Sequence, residues 1–176
     1  MYIKKTHIKY LECPYSNKKL VLDKKFKTIV IDNEIINGKL ITDDGQHSYE
    51  IIDGIVSFVP SSNYSNNFGT QWSIFKKTQL DSYSKTSISK DRFFHATNWN
   101  NNEIKDKLIL DVGCGAGRFA EIALKAGANV IAIDYSFAVK SAYQNLCAFP
   151  NFSVVQADIY KLPFKKEQFD FVYSLG

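Results

Sequence analysis

Cysteine is scarce in this chain. The three thiols, Cys13, Cys114 and Cys147, form an odd, widely spaced set, which fits reduced thiols better than a disulfide framework. Long apolar runs are missing too. None approaches the roughly 20 residues that cross a bilayer, and the N-terminal MYIKKTHIKYLEC lacks the continuous apolar centre of a secretion signal. The expected location is therefore cytoplasmic. No charge of one sign dominates: 22 Lys and Arg stand against 18 Asp and Glu, interleaved along the chain, so no basic stripe marks a nucleic-acid groove and no membrane partner is indicated. Internal repeats and low-complexity tracts are absent. What is present, 45% hydrophobic residues in a chain of 176, suffices for one domain or a small module attached to one.

From Thr28 to Val59, short β-branched runs alternate with turn dipeptides. Asn37-Gly38 predicts a type I′ hairpin, because both central residues of that turn take φ > 0, and Asp44-Gly45 and Asp53-Gly54 are weaker cues of the same kind. The polar stretch PSSNYSNN that follows predicts a linker. Between Phe68 and Asn102, aromatics among polar residues, with Phe68, Trp72 and Phe75 at helical spacing, predict short helices with irregular connections. The expected division is a small β-rich module over 1–60, a linker and helical cover over 61–106, and an α/β domain over 107–176.

From Leu108 onward, strands alternate with helices: LILDV, NVIAID, FSVVQAD and FDFVYSL read as strands. Phe119, Ile122, Ala123 and Ala126 define one helix stopped by Gly127; Val139, Ala142, Tyr143 and Leu146 define a second, capped by Ser136 and followed by Pro150. This order builds a parallel, doubly wound sheet.

Within it, the first strand delivers Asp111, and Gly113, Gly115 and Gly117 turn the backbone tightly into a helix N-terminus. Asp134 ends the second strand about 20 residues on, where a carboxylate accepts bonds from both hydroxyls of a ribose, and Asp158 ends the third. The loop reads G-x-G-x-G rather than G-x-G-x-x-G, with an acid just before it. A carboxylate there repels a pyrophosphate and suits an ammonium group. A ligand with ribose at one end and an ammonium at the other is S-adenosylmethionine.

The stretches LDVGCGAGRFAE, VIAIDYS and VVQADIYKLPFKKEQFDFVYSLG resemble the consecutive motifs of class I S-adenosylmethionine-dependent methyltransferases, the small-molecule type especially, from Leu108 to Gly176. The resemblance implies a Rossmann-like methyltransferase sheet, with strands 3-2-1-4 of seven ordered 3-2-1-4-5-7-6. It also implies that Asp111, Gly113, Cys114 and Gly115 line the methionine end, Asp134 holds the ribose, Asp158 with Ile159 reads the adenine, and Tyr135 packs on the adenosine. Gly117 and Ser174 complete the cofactor-binding set. Cys114 is read as contributing backbone, since nothing beside it offers a base. Arg118 is read as a solvated side chain, and His7, His47 and His95 as surface residues. No catalytic acid or base is assigned.

With four of seven strands counted before Gly176, the expectation is a chain that ends inside its catalytic domain, binds cofactor weakly, does not turn over, and self-associates through the edge of its fourth strand. In this family, Trp72 and Phe75 would belong to the helical cover, with Gln71 and Gln79 as polar contacts. The end of the fourth strand, YSLG, lacks the [DN]-P-P-[YF] of enzymes that methylate exocyclic or amide nitrogens, which favours a small-molecule acceptor. A non-catalytic cofactor-binding or scaffold module is the alternative function; a nicotinamide-dependent oxidoreductase is disfavoured by the glycine spacing.

The segment from Leu11 to Val59 resembles the zinc-ribbon-like, Trm112-like module that precedes some methyltransferase domains. Of its four ligand positions only Cys13 is kept, with Ser16, Thr42 and Gly45 at the others, so no metal is expected there. The alternative set open to the chain is Cys13, His47 and Asp43 or Asp44.

Overall fold

The computed structural model describes residues 3–32, 34–60 and 78–175. Phe68, Gln71, Trp72, Phe75, Gly176 and most of the expected linker lie outside the described residues.

The N-terminal strands are β1 (Ile3–Lys4), β2 (Leu20–Leu22), β3 (Ile29–Ile31), β4 (Glu34–Thr42), β5 (Ser48–Ile52) and β6 (Ile55–Ser57), with a 3-10 helix over Lys5–Tyr10. Strand β4 is the hub, pairing antiparallel with β1, β2, β3 and β5. Both weaker cues fall at turns between strands, but only Asp53-Gly54 takes φ > 0 at both residues; Asp44 does not. Gly45 (φ +72°) turns β4 into β5, and Asp53 and Gly54 (φ +50° and +76°) turn β5 into β6. The strongest cue fails, because Asn37 and Gly38 lie inside β4. The reason is tertiary. Gly38 lets neighbours close in, since a Cβ there would sit 3.2 Å from Ile35 Cγ2 and 3.3 Å from Thr28 Cγ2. The Asn37 side-chain oxygen is spent on the Asp53 amide (3.2 Å).

Three short helices follow, α1 (Asp81–Ser84), α2 (Ile88–Thr97) and α3 (Asn101–Ile104), then β7 (Leu108–Val112), α4 (Arg118–Lys125), β8 (Asn129–Asp134), α5 (Ala138–Leu146), β9 (Phe152–Gln156) and β10 (Phe171–Tyr173). Helix α3 opens on a full capping box between Asn100 and Glu103. Strands β9-β8-β7-β10 are parallel neighbours in that order, the 3-2-1-4 arrangement expected of the sequence. The outer side of β9 is paired as well: β6 joins it in parallel, Val56 opposite Val155 and Ser57 opposite Gln156. One sheet therefore runs from the N-terminal strands into the α/β half.

Alternation along the parallel strands splits the core in two. Ile109, Val130, Ala132 and Val154 face α4 and α5, meeting Phe119, Ala123, Val139 and Leu146. Leu110, Val112, Ile131, Ile133 and Val155 face the other way, and the N-terminal strands cover them with Leu20, Ile35, Leu40 and Ile51. Phe93 of α2 is fully buried, edge-on to Tyr173 at 5.1 Å. No helix among the described residues is long and apolar enough to cross a membrane.

Candidate functional site

Strand β7 ends in Val112, and the next residues must turn into α4 within six positions. Gly113, Gly115 and Gly117 do so with φ of +76°, +52° and +90°. The amides of Gly113 and Cys114 both donate to the Ile133 carbonyl of β8 (2.9 Å each), and Asn145 of α5 donates to the Ala116 carbonyl (2.9 Å). The loop is thus pinned from the neighbouring strand and helix.

Asp134, at the end of β8, is half-buried and already bonded. Its Oδ2 accepts from the Gly115 amide (2.9 Å), and its Oδ1 accepts from the Ser136 amide (2.8 Å) and hydroxyl (2.7 Å). Ser136 Oγ in turn accepts from the Ala138 amide (3.2 Å), but the N-cap of α5 is Phe137, one residue later than the expected Ser136, and it makes no side-chain cap bond.

Asp111 is different. It is 2% exposed, and its Oδ2 has no hydrogen-bond partner. Burial lifts its carboxyl to about 7; the Tyr173 hydroxyl beside it opposes the rise and the Asp134 charge adds to it. Burial, with Asp111 and Asp134 next, also raises the Cys114 thiol well above its usual range. That thiol sits 3.6 Å from the Gly115 carbonyl and is not poised as a nucleophile.

Asp158 lies two residues beyond β9, not on it as FSVVQAD predicts, because its Oδ1 accepts from the Tyr160 amide (2.9 Å) and its carbonyl from the Lys161 amide (3.0 Å) in a turn. Ile159 is 54% exposed. Tyr135 follows Asp134 directly, with its carbonyl held by Gln156 Nε2 (3.0 Å). Ser174 follows β10, and its Oγ would lie 4.0 Å from a Cβ on Gly113. Asp111, the glycine loop and Asp134 therefore form one cluster, Ser174 borders it, and Asp158 and Ile159 stand on the adjoining β9 loop.

Sequence reasoning missed the residues that hold this cluster. Gln156 is an amide after the apolar pair Val154-Val155, its only signal, and Asn145, next to Gln144 in a mixed helix sequence, carried none. Arg118 is not solvated as expected: its Nε donates to Ser89 Oγ of α2 (2.9 Å), and its guanidinium lies over Phe119. Ser89 is set by Asp81, whose carboxylate accepts from the Ser89 and Lys90 amides (3.0 and 2.9 Å). Burial pushes the Asp81 carboxyl up, but these bonds outweigh it and leave the group below its usual range. Its stabilisation is present above the unfolded carboxyl range and is lost as pH falls through the lowered folded value. Asp81→Ala strands those buried amides and should cost about 1–3 kcal/mol in urea unfolding at pH 7.

His7 also departs from the surface reading, hydrogen-bonding the buried Ser153 of β9. Around Cys13, its Sγ meets Tyr49 Oη at 3.1 Å, Asp44 pairs with Lys18 at 2.6 Å, and His47 stacks on Tyr15. Among the described residues no three His, Cys, Asp or Glu come together as a metal site. A cavity of about 580 Å³ between β5, β6 and the start of α5 is lined by Tyr49, Phe58, Phe137 and Lys140; neither Asp111 nor the loop glycines reach it.

The family model described as "Methyltransferase domain" matches residues 110–176. Over 78 residues the chain is 36% identical to protein arginine N-methyltransferase 2 of Dictyostelium discoideum, covering 39% of this chain and 15% of that protein. Over 81 residues it is 36% identical to the tRNA U34 carboxymethyltransferase of Ruthia magnifica subsp. Calyptogena magnifica, covering 42% and 24%. The chain thus spans a quarter or less of these relatives. Its fold is similar to that of a candidate S-adenosyl-L-methionine-dependent methyltransferase from Methanococcus maripaludis, with TM-score 0.52 and 18% identity, covering 68% of this chain and 54% of the other. Residues 110–176 are thus similar to methyltransferase domains, and the strands there run in the order β9-β8-β7-β10.

Proposed function

We propose that the chain binds S-adenosylmethionine across the carboxyl ends of β7, β8 and β9 and serves methyl transfer to a small-molecule acceptor. The observation that carries this reading is the Asp111 carboxyl group, buried with one oxygen unpartnered beside a loop of three positive-φ glycines. A buried acid at that point disfavours phosphate and fits an ammonium. When bound, the cofactor supplies a methyl group on a sulfonium, open to in-line displacement.

The chain's own residues bind, orient and exclude water. Asp111 takes the amino group. Asp134, with three donors already on its two oxygens, retains lone-pair capacity for ribose hydroxyls. Asp158, Ile159 and Tyr135 form the adenine side, and Ser174 closes the site beside Gly113. The small-molecule acceptor is supported by YSLG at the end of β10, where amide and exocyclic-nitrogen methylating enzymes carry a different motif.

Calorimetric titration with S-adenosylhomocysteine and with NAD tests the cofactor: binding of the first and not the second is expected, and the reverse overturns the reading. Asp134→Ala should weaken S-adenosylhomocysteine by about 1–3 kcal/mol. It should also lower the melting temperature of the ligand-free chain, since the Gly115 and Ser136 donors lose their acceptor. Unchanged affinity in a folded variant would remove Asp134 from the site.

A further inference from the structure

We propose that Tyr173 is the positioning residue for Asp111, the donor that orients its carboxylate toward a cationic group of the ligand. The inference rests on the cofactor reading above and adds a residue to it. Tyr173 of β10 and Asp111 of β7 are register partners in a parallel pair, so their side chains leave the sheet on the same face. Both are buried. Asp111 Oδ2 and Tyr173 Oη each lack a hydrogen-bond partner.

The Tyr173 ring is held by Phe93, edge-on at 5.1 Å, and by Trp99 at 6.2 Å. Phenylalanine would satisfy that packing equally well. While Asp111 is protonated, the hydroxyl adds only a buried polar atom without a partner, which is costly. Its use therefore lies in another state of the site.

That state is the one in which Asp111 is ionised. The groups facing Asp111 are the Tyr173 hydroxyl from β10, Asp134 from β8 and the Cys114 thiol from the loop. From α4 it is the backbone at Ala120; the buried acid of that helix, Glu121, turns instead to Lys125 and Ser82. No cationic side chain is among them. Of these groups Tyr173 is the natural donor to a carboxylate, because Asp134 is an acid and a thiol is a weak donor. Burial raises the Tyr173 hydroxyl well above its usual range, and the Asp111 charge adds to this, so it stays protonated and able to donate. When a cationic group enters, Asp111 gives its proton to solvent, one oxygen accepts from Tyr173 and the other faces the ligand.

The test is calorimetric titration of the full chain with S-adenosylhomocysteine between pH 5.5 and 8.5. Wild-type affinity should rise about tenfold per pH unit until Asp111 is ionised, near pH 7, and then level. Tyr173→Phe should move that break upward by about one unit. Its affinity then falls about tenfold below wild type at pH 6 and converges with it at the alkaline end. A shared break point, or a loss equal at every pH, would show a merely structural role and overturn the proposal. Tyr173→Leu, which removes the same donor, should shift the break in the same direction. Proton release by the wild type, from titrations at pH 6 in buffers of different ionisation heat, should be near one per ligand. Zero release overturns the proposal without any variant. Absence of binding by the wild type at every pH overturns the cofactor reading itself.

Discussion

An Asp111→Asn chain will melt at a higher temperature than its parent at pH 8 and will bind S-adenosylhomocysteine at least about a hundredfold more weakly. Both effects have one origin. The folded chain holds the Asp111 carboxyl near 7 by burial, whereas the unfolded chain ionises it near 4. Between those values the unfolded state has released a proton that the folded state keeps, so stability falls as pH climbs from about 4 to 7 and levels above. Three pKa units at about 1.4 kcal/mol each set a ceiling of about 4 kcal/mol. Asparagine removes the ionisation and leaves a buried amide, so the expected recovery is about 1–3 kcal/mol. In a chain of this size each kcal/mol shifts the melting temperature by about 2–4 °C. At pH 4 the advantage should vanish. On the binding side, asparagine leaves the ligand's ammonium without its countercharge in a dry site, worth about 3 kcal/mol or more. Melting curves at pH 4 and pH 8 with calorimetric titration check both halves. An equal melting temperature at pH 8 would show that Asp111 is not held neutral.

The parts of this molecule that were legible in the sequence are those written as local periodicity. LILDV and NVIAID are buried β-branched runs, and the residues of α4 and α5 that meet the sheet fall at helical spacing. Together they announce a parallel sheet of alternating strands and helices, while the β9-β8-β7-β10 order is what the resemblance to class I methyltransferases implied. What was illegible depends on partners distant in the chain. Asn37-Gly38 is a strong local turn signal that β4 overrides by pairing along its length with four other strands. β6 has three residues, and nothing in IVS announces a parallel neighbour a hundred residues away. Arg118 looked solvated because its acceptor, Ser89, lies in another helix.

The candidate site divides in the same way. The acids and glycines of the loop were visible as residue types at a spacing. That the Asp134 carboxylate ties the loop through Gly115 while Asp111 is left with an unpartnered oxygen is a product of packing. A pattern of residue types could name both acids but could not tell the structural tie from the one held in reserve.

Gly117→Ala will cost about 2–5 kcal/mol, combining strain and overpacking. Gly117 sits at φ +90°, a conformation that side chains disfavour by about 1–2 kcal/mol. Its missing Cβ is also where α5 comes closest. A Cβ there would lie 2.5 Å from Leu146 Cδ1, 3.3 Å from Leu146 Cγ and 3.5 Å from the Ala142 Cα. Leu146 is itself buried against the sheet, so it cannot swing away, and forcing it costs about 1–3 kcal/mol more. The two contributions are separable. In a Leu146→Ala background the steric part should disappear and only the backbone part of about 1–2 kcal/mol remain, giving a coupling energy of about 1–3 kcal/mol in a double-mutant cycle by urea unfolding. The displacement should also reach the site, because the Ala116 carbonyl bonded to Asn145 directly precedes Gly117. S-adenosylhomocysteine affinity should therefore fall in the Gly117→Ala chain and partly recover in the double variant. If the alanine costs the same in both backgrounds, the approach of α4 to α5 is not what requires glycine at this position, and the backbone conformation alone accounts for it.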